Sequence, residues 1–275
     1  LDDTLRDIAV VLFAFLGLHG GLHERARQAA ERQVSDAFDH TGAIHAVVAP
    51  RGFFGLEIND LYEVRVEGTG IISDRIPFFI YPRTGWKGRI HHLHLDLTRF
   101  TLRSIPIRSF RADMPNATYD LGHSLYRSRL VLRSVGEGTG SVVLGPEGIL
   151  AFIRKKTRFH QTLSDVLIAF HNQNIMVSGQ GSFPPFGQAP FTMTGTLICR
   201  DGRYLDLDPL HTIIKLNGIT APNSLLDLIN PVVDIDEDLG LKGYFSLEGV
   251  RIVGDELIIT GKSTLPVAPP GTKTP

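Results

Sequence analysis

A single cysteine, Cys199, is the whole thiol content of this 275-residue chain. Neither a disulfide framework nor a Cys-based zinc site can be assembled from it. A surplus of basic charge is also lacking: Lys+Arg 28 against Asp+Glu 29 leaves a formal net charge of -1. That excludes an overall basic nucleic-acid binder, because phosphate contacts need excess Lys and Arg. No apolar run reaches the ~20 residues of a full membrane span. The Rossmann and P-loop glycine spacings are missing, since Gly136-Glu137-Gly138-Thr139-Gly140 has its glycines at the wrong intervals. His23-Glu24 meets Arg27 where a metalloprotease helix needs a second His, and Gly122-His123-Ser124 meets Tyr126 where a nucleophile elbow needs Gly. Asp234, Asp236 and Asp238 have calcium-loop spacing, but Leu239 and Phe245 occupy the turn-glycine and bidentate-Glu positions. A solvated acidic loop is the plainer reading.

What is present points to a folded, turn-rich chain. A hydrophobic fraction of 43% with 21% charged residues excludes disorder. Gly 28 and Pro 16 argue against a plain helical bundle. Ile8 to Leu18 is apolar throughout, too short to span a bilayer but suited to the apolar core of a signal peptide or a short anchor. Against a standard signal stand Asp2, Asp3 and Asp7 beside only Arg6, and the lack of a small-x-small cleavage site. The expectation is a signal or membrane-anchor segment over 1–22, with a buried apolar helix as the alternative.

From His23 to Phe38 the pattern is helical, with Val34, Ala37 and Phe38 on a narrow apolar stripe. Strand grammar then dominates, with alternation over Leu61 to Val66 and Ile90 to Leu97, and a strand from Thr101 to Ile107. Arg200-Asp201-Gly202 and Gly254-Asp255 read as hairpin turns between strands. Short strands with tight returns predict antiparallel pairing. Two helices interrupt them, one opened by Pro146 and one from about Pro222 to Ile229, which stops before Pro231. The fold class is therefore α+β. One domain is expected over 23–265, followed by a Pro-rich disordered tail over 266–275.

Three patches carry possible chemistry. His92, His94 and Asp96 alternate along one strand face, with Leu93, Leu95 and Leu97 on the other. Two imidazoles and a carboxylate suit zinc, but a half-buried strand also explains the pattern, and no second strand offers an obvious fourth ligand. No metal site is therefore assigned. Arg154, Lys155, Lys156 and Arg158 form the one dense basic cluster. They either complement a helix C-terminus or hold a phospholipid headgroup beside the apolar helix face of Ile149, Leu150, Phe152 and Ile153. Phe53 and Phe54, between Gly52 and Gly55 and followed by Leu56, break strand alternation. They are either a packed loop or an apolar tip facing lipid or a partner.

The order of these pieces resembles a known family. An apolar N-terminal segment is followed by the polar helix around Ala30-Glu31-Arg32-Gln33 and by Gly55-Leu56-Glu57-Ile58-Asn59-Asp60. Further on come Ile175-Met176-Val177-Ser178-Gly179, Ile229-Asn230-Pro231-Val232-Val233-Asp234 and a hairpin ending at Ile259-Thr260-Gly261. Over roughly Ala26 to Leu265 this layout is similar to the LmeA-like family of bacterial envelope phospholipid-binding proteins. The resemblance implies a long, strongly curved antiparallel sheet wrapping a few helices, as in tubular lipid-binding modules, with an apolar groove for acyl chains.

The expectation is thus a non-enzymatic lipid-binding or lipid-transfer protein of the cell envelope, without a cofactor. Its partners are phospholipid and the membrane surface. Phe53, Phe54, Leu56, Ile149, Leu150, Phe152, Ile153, Leu225, Leu226 and Ile229 are the candidate lipid contacts. The alternatives are an envelope scaffold without a cavity, or a zinc-dependent hydrolase built on His92, His94 and Asp96.

Overall fold

The computed structural model describes residues 24, 27–51, 60–123, 129–155, 163–183 and 187–269. Helix α1 covers 27–37. Ala30, Val34 and Phe38 are its buried residues, and their four-residue spacing places them on one face. The expected stripe therefore shifts by one row, and Ala37 is only half-buried. Gln33 ties the helix to the body of the protein. Its Nε2 donates to Leu130 O at 2.7 Å, and Leu130 N donates back to its Oε1 at 2.7 Å.

Seven strands follow: β1 (Ala43–Pro50), β2 (Asp60–Thr69), β3 (Ile72–Ser73), β4 (Lys87–Leu102), β5 (Ile105–Asp120), β6 (Leu132–Ser134) and β7 (Gly138–Leu144). Helix α2 (Pro146–Lys155) leads to β8 (Leu163–His171), β9 (Asn174–Phe183), β10 (Gly187–Arg200), β11 (Tyr204–Leu207), β12 (Ile213–Leu216) and β13 (Ile219–Thr220). A 3-10 turn precedes the single-turn α3 (Leu226–Ile229), then come β14 (Val233–Asp234), β15 (Phe245–Val253) and β16 (Glu256–Ser263).

A nine-stranded sheet runs β1-β2-β4-β5-β7-β16-β15, with β3 beside β4 and β6 beside β5; a seven-stranded sheet is built around β10. The chain is mostly strand, with a strongly curled, largely antiparallel half-barrel sheet and few helices. Antiparallel pairing is not universal, however. β2 and β3 both pair with β4 in parallel, because the stretch from β3 to β4, 74–86, is long enough to return the chain to the same end of the sheet. Both expected hairpin turns form, joining β10 to β11 and β15 to β16.

A third hairpin has no glycine signal. The predicted strand from Thr101 to Ile107 instead turns back at Arg103 (φ 51) and Ser104 (φ 69), joining β4 to β5. Two non-glycine residues at positive φ cost on the order of 1–3 kcal/mol each. Tertiary bonds offset that cost: Arg103 donates to Glu237 O at 2.7 Å and to Asp74 O at 3.1 Å. The tail also differs from expectation. Ile80 N donates to Pro266 O at 3.0 Å and Ala268 N donates to Ile80 O at 2.9 Å, so 266–268 are pinned to the domain beside the buried Leu265.

One continuous apolar core takes residues from both sheets, with Leu93, Leu97, Phe110 and Met114 from the large sheet and Val177, Phe191 and Met193 from the smaller. Curling the large sheet brings backbones close. A Cβ on Gly138 would stand 1.8 Å from Asp113 O, and one on Gly261 would stand 1.9 Å from Ser246 O, approaches that only glycine permits. Across β4 and β5, Gly88 faces Tyr119, whose ring fills the space a Cβ on Gly88 would take, 2.1 Å away. Burial pushes the Tyr119 phenol up to about 12, with the Asp60 carboxylate adding to the shift. Gly88→Ala should therefore displace this ring and cost about 1–3 kcal/mol, read as a lower midpoint in thermal or urea unfolding. An unchanged midpoint would show that Tyr119 moves aside without loss.

Candidate functional site

Strand β4 has two chemically opposite faces. Leu93, Leu95 and Leu97 point to the core, so His92, His94 and Asp96 share the other face, as the alternation predicts. Curling turns that polar face into an open trough of ≈ 580 Å³, lined among others by Arg65, His94, Asp96, Arg111, Asp113 and Glu248. The trough also changes the expected ligand trio. Asp96 is taken by Arg111, whose Nε lies 3.2 Å from its Oδ2. Asp113 on β5, the register partner of His94, replaces it. Its Oδ1 stands 3.5 Å from His94 Nδ1, and His92, His94 and Asp113 each bring one donor atom within 4.8 Å of the others. Glu63, opposite His92 on β2, lies 3.7 Å from His94 Nε2. Asp113 and Glu63 escape a linear reading because strand register, not spacing along the chain, puts them beside the histidines.

On the core side of the same strands, beneath α1, lies a second space of ≈ 70 Å³. Its walls are almost wholly apolar and include Ala30, Val34, Val66, Phe78, Leu93 and Met114. Among the described residues, no candidate lipid contact from the sequence borders this space. Ile149 and Phe152 on α2 are fully buried in the core, and Leu225 and Leu226 are buried with them; Leu150, Ile153 and Ile229 are half-buried. Phe53, Phe54 and Leu56 lie outside the described residues, as do Lys156, Arg158 and the 1–22 segment. Arg154 and Lys155 are exposed. Lys155 Nζ donates to Asp238 O at 3.3 Å and to Arg103 O at 3.4 Å, so it braces the β4–β5 turn.

The acidic triplet is a structural latch and not a solvated loop. Arg203 makes a paired contact with Asp234, Nε to Oδ1 at 2.8 Å and Nη2 to Oδ2 at 2.5 Å. Asp236 N and Glu237 N also donate to Asp234 Oδ1, and Asp238 Oδ2 accepts from Asp234 N. Burial opposes ionisation of Asp234, but Arg203 and the two amides together outweigh it and hold the carboxyl below its ordinary range. Burial pushes the Asp236 carboxyl up, against the pull of Arg203. Nearby, Tyr204 lies between two guanidiniums, Arg200 at 4.7 Å and Arg203 at 4.9 Å from the ring centroid.

This latch predicts an acid-sensitive stability. A carboxyl whose folded pKa is depressed stabilises the fold above its unfolded value of ~3.9, and that contribution is lost as pH falls through the lower folded value. Arg203→Ala should lower stability at neutral pH by leaving the Asp234 carboxylate without its guanidinium partner, by less than the loss of a fully buried pair because Arg203 is partly exposed. The cost should shrink in unfolding curves taken below about pH 4. An equal penalty at all pH values would show that Arg203 acts through packing and not through Asp234. The chain matches no protein-family model, no curated protein and no solved structure, and its functional reading rests on its own residues.

Proposed function

We propose that the protein is a non-enzymatic lipid carrier of the cell envelope that shelters a phospholipid acyl chain between α1 and the apolar face of the curled sheet, in the manner of tubular lipid-binding modules. The observation that carries this reading is the apolar space beneath α1. At ≈ 70 Å³ it is about half the ~150 Å³ of an engineered apolar cavity that stays dry and admits benzene. It therefore holds the first few methylenes of a chain, and a longer chain requires α1 to move outward. Such a movement would uncover Ala30, Val34 and Phe38 and break the Gln33 bonds to Leu130 and the Glu31 contacts with Ala46 N and His45 on β1. Each methylene taken out of water then contributes ~0.8 kcal/mol.

The polypeptide before α1 supports the same reading. The Ile8 to Leu18 run would place α1 near a bilayer if it serves as a signal or anchor, with the mouth of the cavity close to the source of lipid. Among the described residues no helix is long and apolar enough to cross a membrane.

Ala30→Leu separates carrying from folding. It adds three carbons on the face of α1 that borders the cavity, close to the volume available, and improves neither charge nor polarity. Filling the space should stabilise the protein by about 0.5–2 kcal/mol and reduce uptake of a fluorescent phospholipid from vesicles by about tenfold. Gln33→Ala should have the opposite pair of effects, with lower stability and faster exchange. If Ala30→Leu raises the melting temperature but leaves uptake unchanged, the chain does not bind beneath α1. If the wild-type chain takes up no lipid and native mass spectrometry finds none bound, the scaffold alternative stands instead.

A further inference from the structure

We propose that His92, His94 and Asp113 form a binding site for one divalent transition-metal ion on the polar face of the large sheet. The site does not rest on the lipid-carrier reading: its donors stand on the polar face of β4, and of the three only His94 also borders the apolar cavity. Three observations point to a ligand and not merely to a hydrated strand.

The first is geometry. The two imidazoles are neighbours on one strand face, stacked within 5° of parallel with ring centroids 5.9 Å apart, and one ring must rotate to bring its in-plane lone pair onto an ion held by the other. His94 Nδ1 and Asp113 Oδ1 stand 3.5 Å apart. Tetrahedral zinc with bonds of ~2.0–2.1 Å keeps its donors about 3.3 Å apart, so this pair is already at ligand spacing. The widest separation in the trio is within 4.8 Å, which side-chain rotation can close without moving a strand.

The second observation is what surrounds the donors. With Nδ1 directed to the metal, His94 Nε2 faces Glu63 Oε1 at 3.7 Å, beyond hydrogen-bond length but close enough that a small side-chain shift would complete the carboxylate–histidine arrangement that fixes the tautomer and raises ligand basicity. Glu63 is itself held by Arg65 at 2.7 Å. Among the described residues, His92 makes ring contacts with Tyr62 and His94 and no hydrogen bond, so its lone pair is uncommitted.

The third is charge and access. Arg65 is engaged by Glu63 and Glu67, and Arg111 by Asp96, which leaves the Asp113 carboxylate facing the histidines. The adjoining trough gives solvent a route to the remaining coordination positions. Two imidazoles and one carboxylate favour zinc, cobalt, nickel or ferrous iron over magnesium and calcium, which prefer all-oxygen sets.

The test uses the full chain, stripped with a chelator and titrated with Zn²⁺ by calorimetry and with Co²⁺ by visible absorption at neutral pH. One Zn²⁺ per chain is expected, with Co²⁺ displaced by Zn²⁺ and excess Mg²⁺ without effect. His92→Gln, His94→Gln and Asp113→Asn should each weaken binding by about tenfold or more, while the metal-free melting curves stay close to wild type. Asp96→Asn, which removes a carboxylate from the same strand face but not from the trio, should leave affinity within about threefold. Absence of stoichiometric Zn²⁺ binding would overturn the proposal. So would an Asp96→Asn loss as large as that of Asp113→Asn, or normal affinity in His94→Gln.

Discussion

Strands β4 and β5 carry the alternation on which the other elements depend. They are the two longest strands, each at the centre of the large sheet, and they pair over almost their whole length. Because side chains alternate across a strand, one register places leucines, phenylalanine and methionine in the core and sets histidine, aspartate and arginine on the opposite face. A slip of one residue would exchange the two faces and bury several charges without partners, at a cost of several kcal/mol per ion. The register is thus held by burial on one side and by ion pairs such as Asp96–Arg111 on the other. The trough and the apolar cavity are two consequences of the same pairing.

The ends of this ribbon are anchored by contacts distant in sequence. At one end Arg103 and Ser104 turn the chain at positive φ, and the backbone of the acidic loop accepts from Arg103 and Lys155. The Arg203–Asp234 pair orders that same loop. A carboxylate triplet that could have suggested calcium is therefore consumed in supporting a strained turn. At the other end Tyr119 covers Gly88, filling with an aromatic ring the space left by a missing side chain. Both devices favour a rigid sheet, against which α1 is held by its narrow apolar face, by Gln33 and by Glu31.

The lipid and metal proposals draw on different physics and are separable for that reason. Burial of methylenes beneath α1 is non-directional and depends on volume, so it responds to Ala30→Leu and is indifferent to His92 and Asp113, which do not border the cavity. Coordination depends on direction and charge, so it responds to Asp113→Asn and is indifferent to the cavity. The sheet between them is thin enough for residues of β4 to border both spaces, yet its backbone hydrogen bonds keep the two environments apart.

Local alternation and turn chemistry were enough to read a mostly stranded chain with few helices, the start of α2 at Pro146, two hairpins and the two-faced character of β4, because these depend on residues close together in the chain. The parallel pairing of β2 with β4, the glycine-free turn at Arg103–Ser104 and the ordered stretch 266–268 were not readable there, since each is stabilised by partners far along the sequence. The same division runs through the candidate sites. His92 and His94 were visible as a pair on one strand, but the identity of the third donor was not: Asp96 is nearer in sequence, and Asp113 is nearer in space. Likewise Ile149 and Phe152 looked the same as groove residues and as core residues, since a one-dimensional pattern records apolarity and not what lies opposite. The sequence by itself determined which faces are greasy and which are polar; only strand register and sheet curvature decided which side chains meet across them.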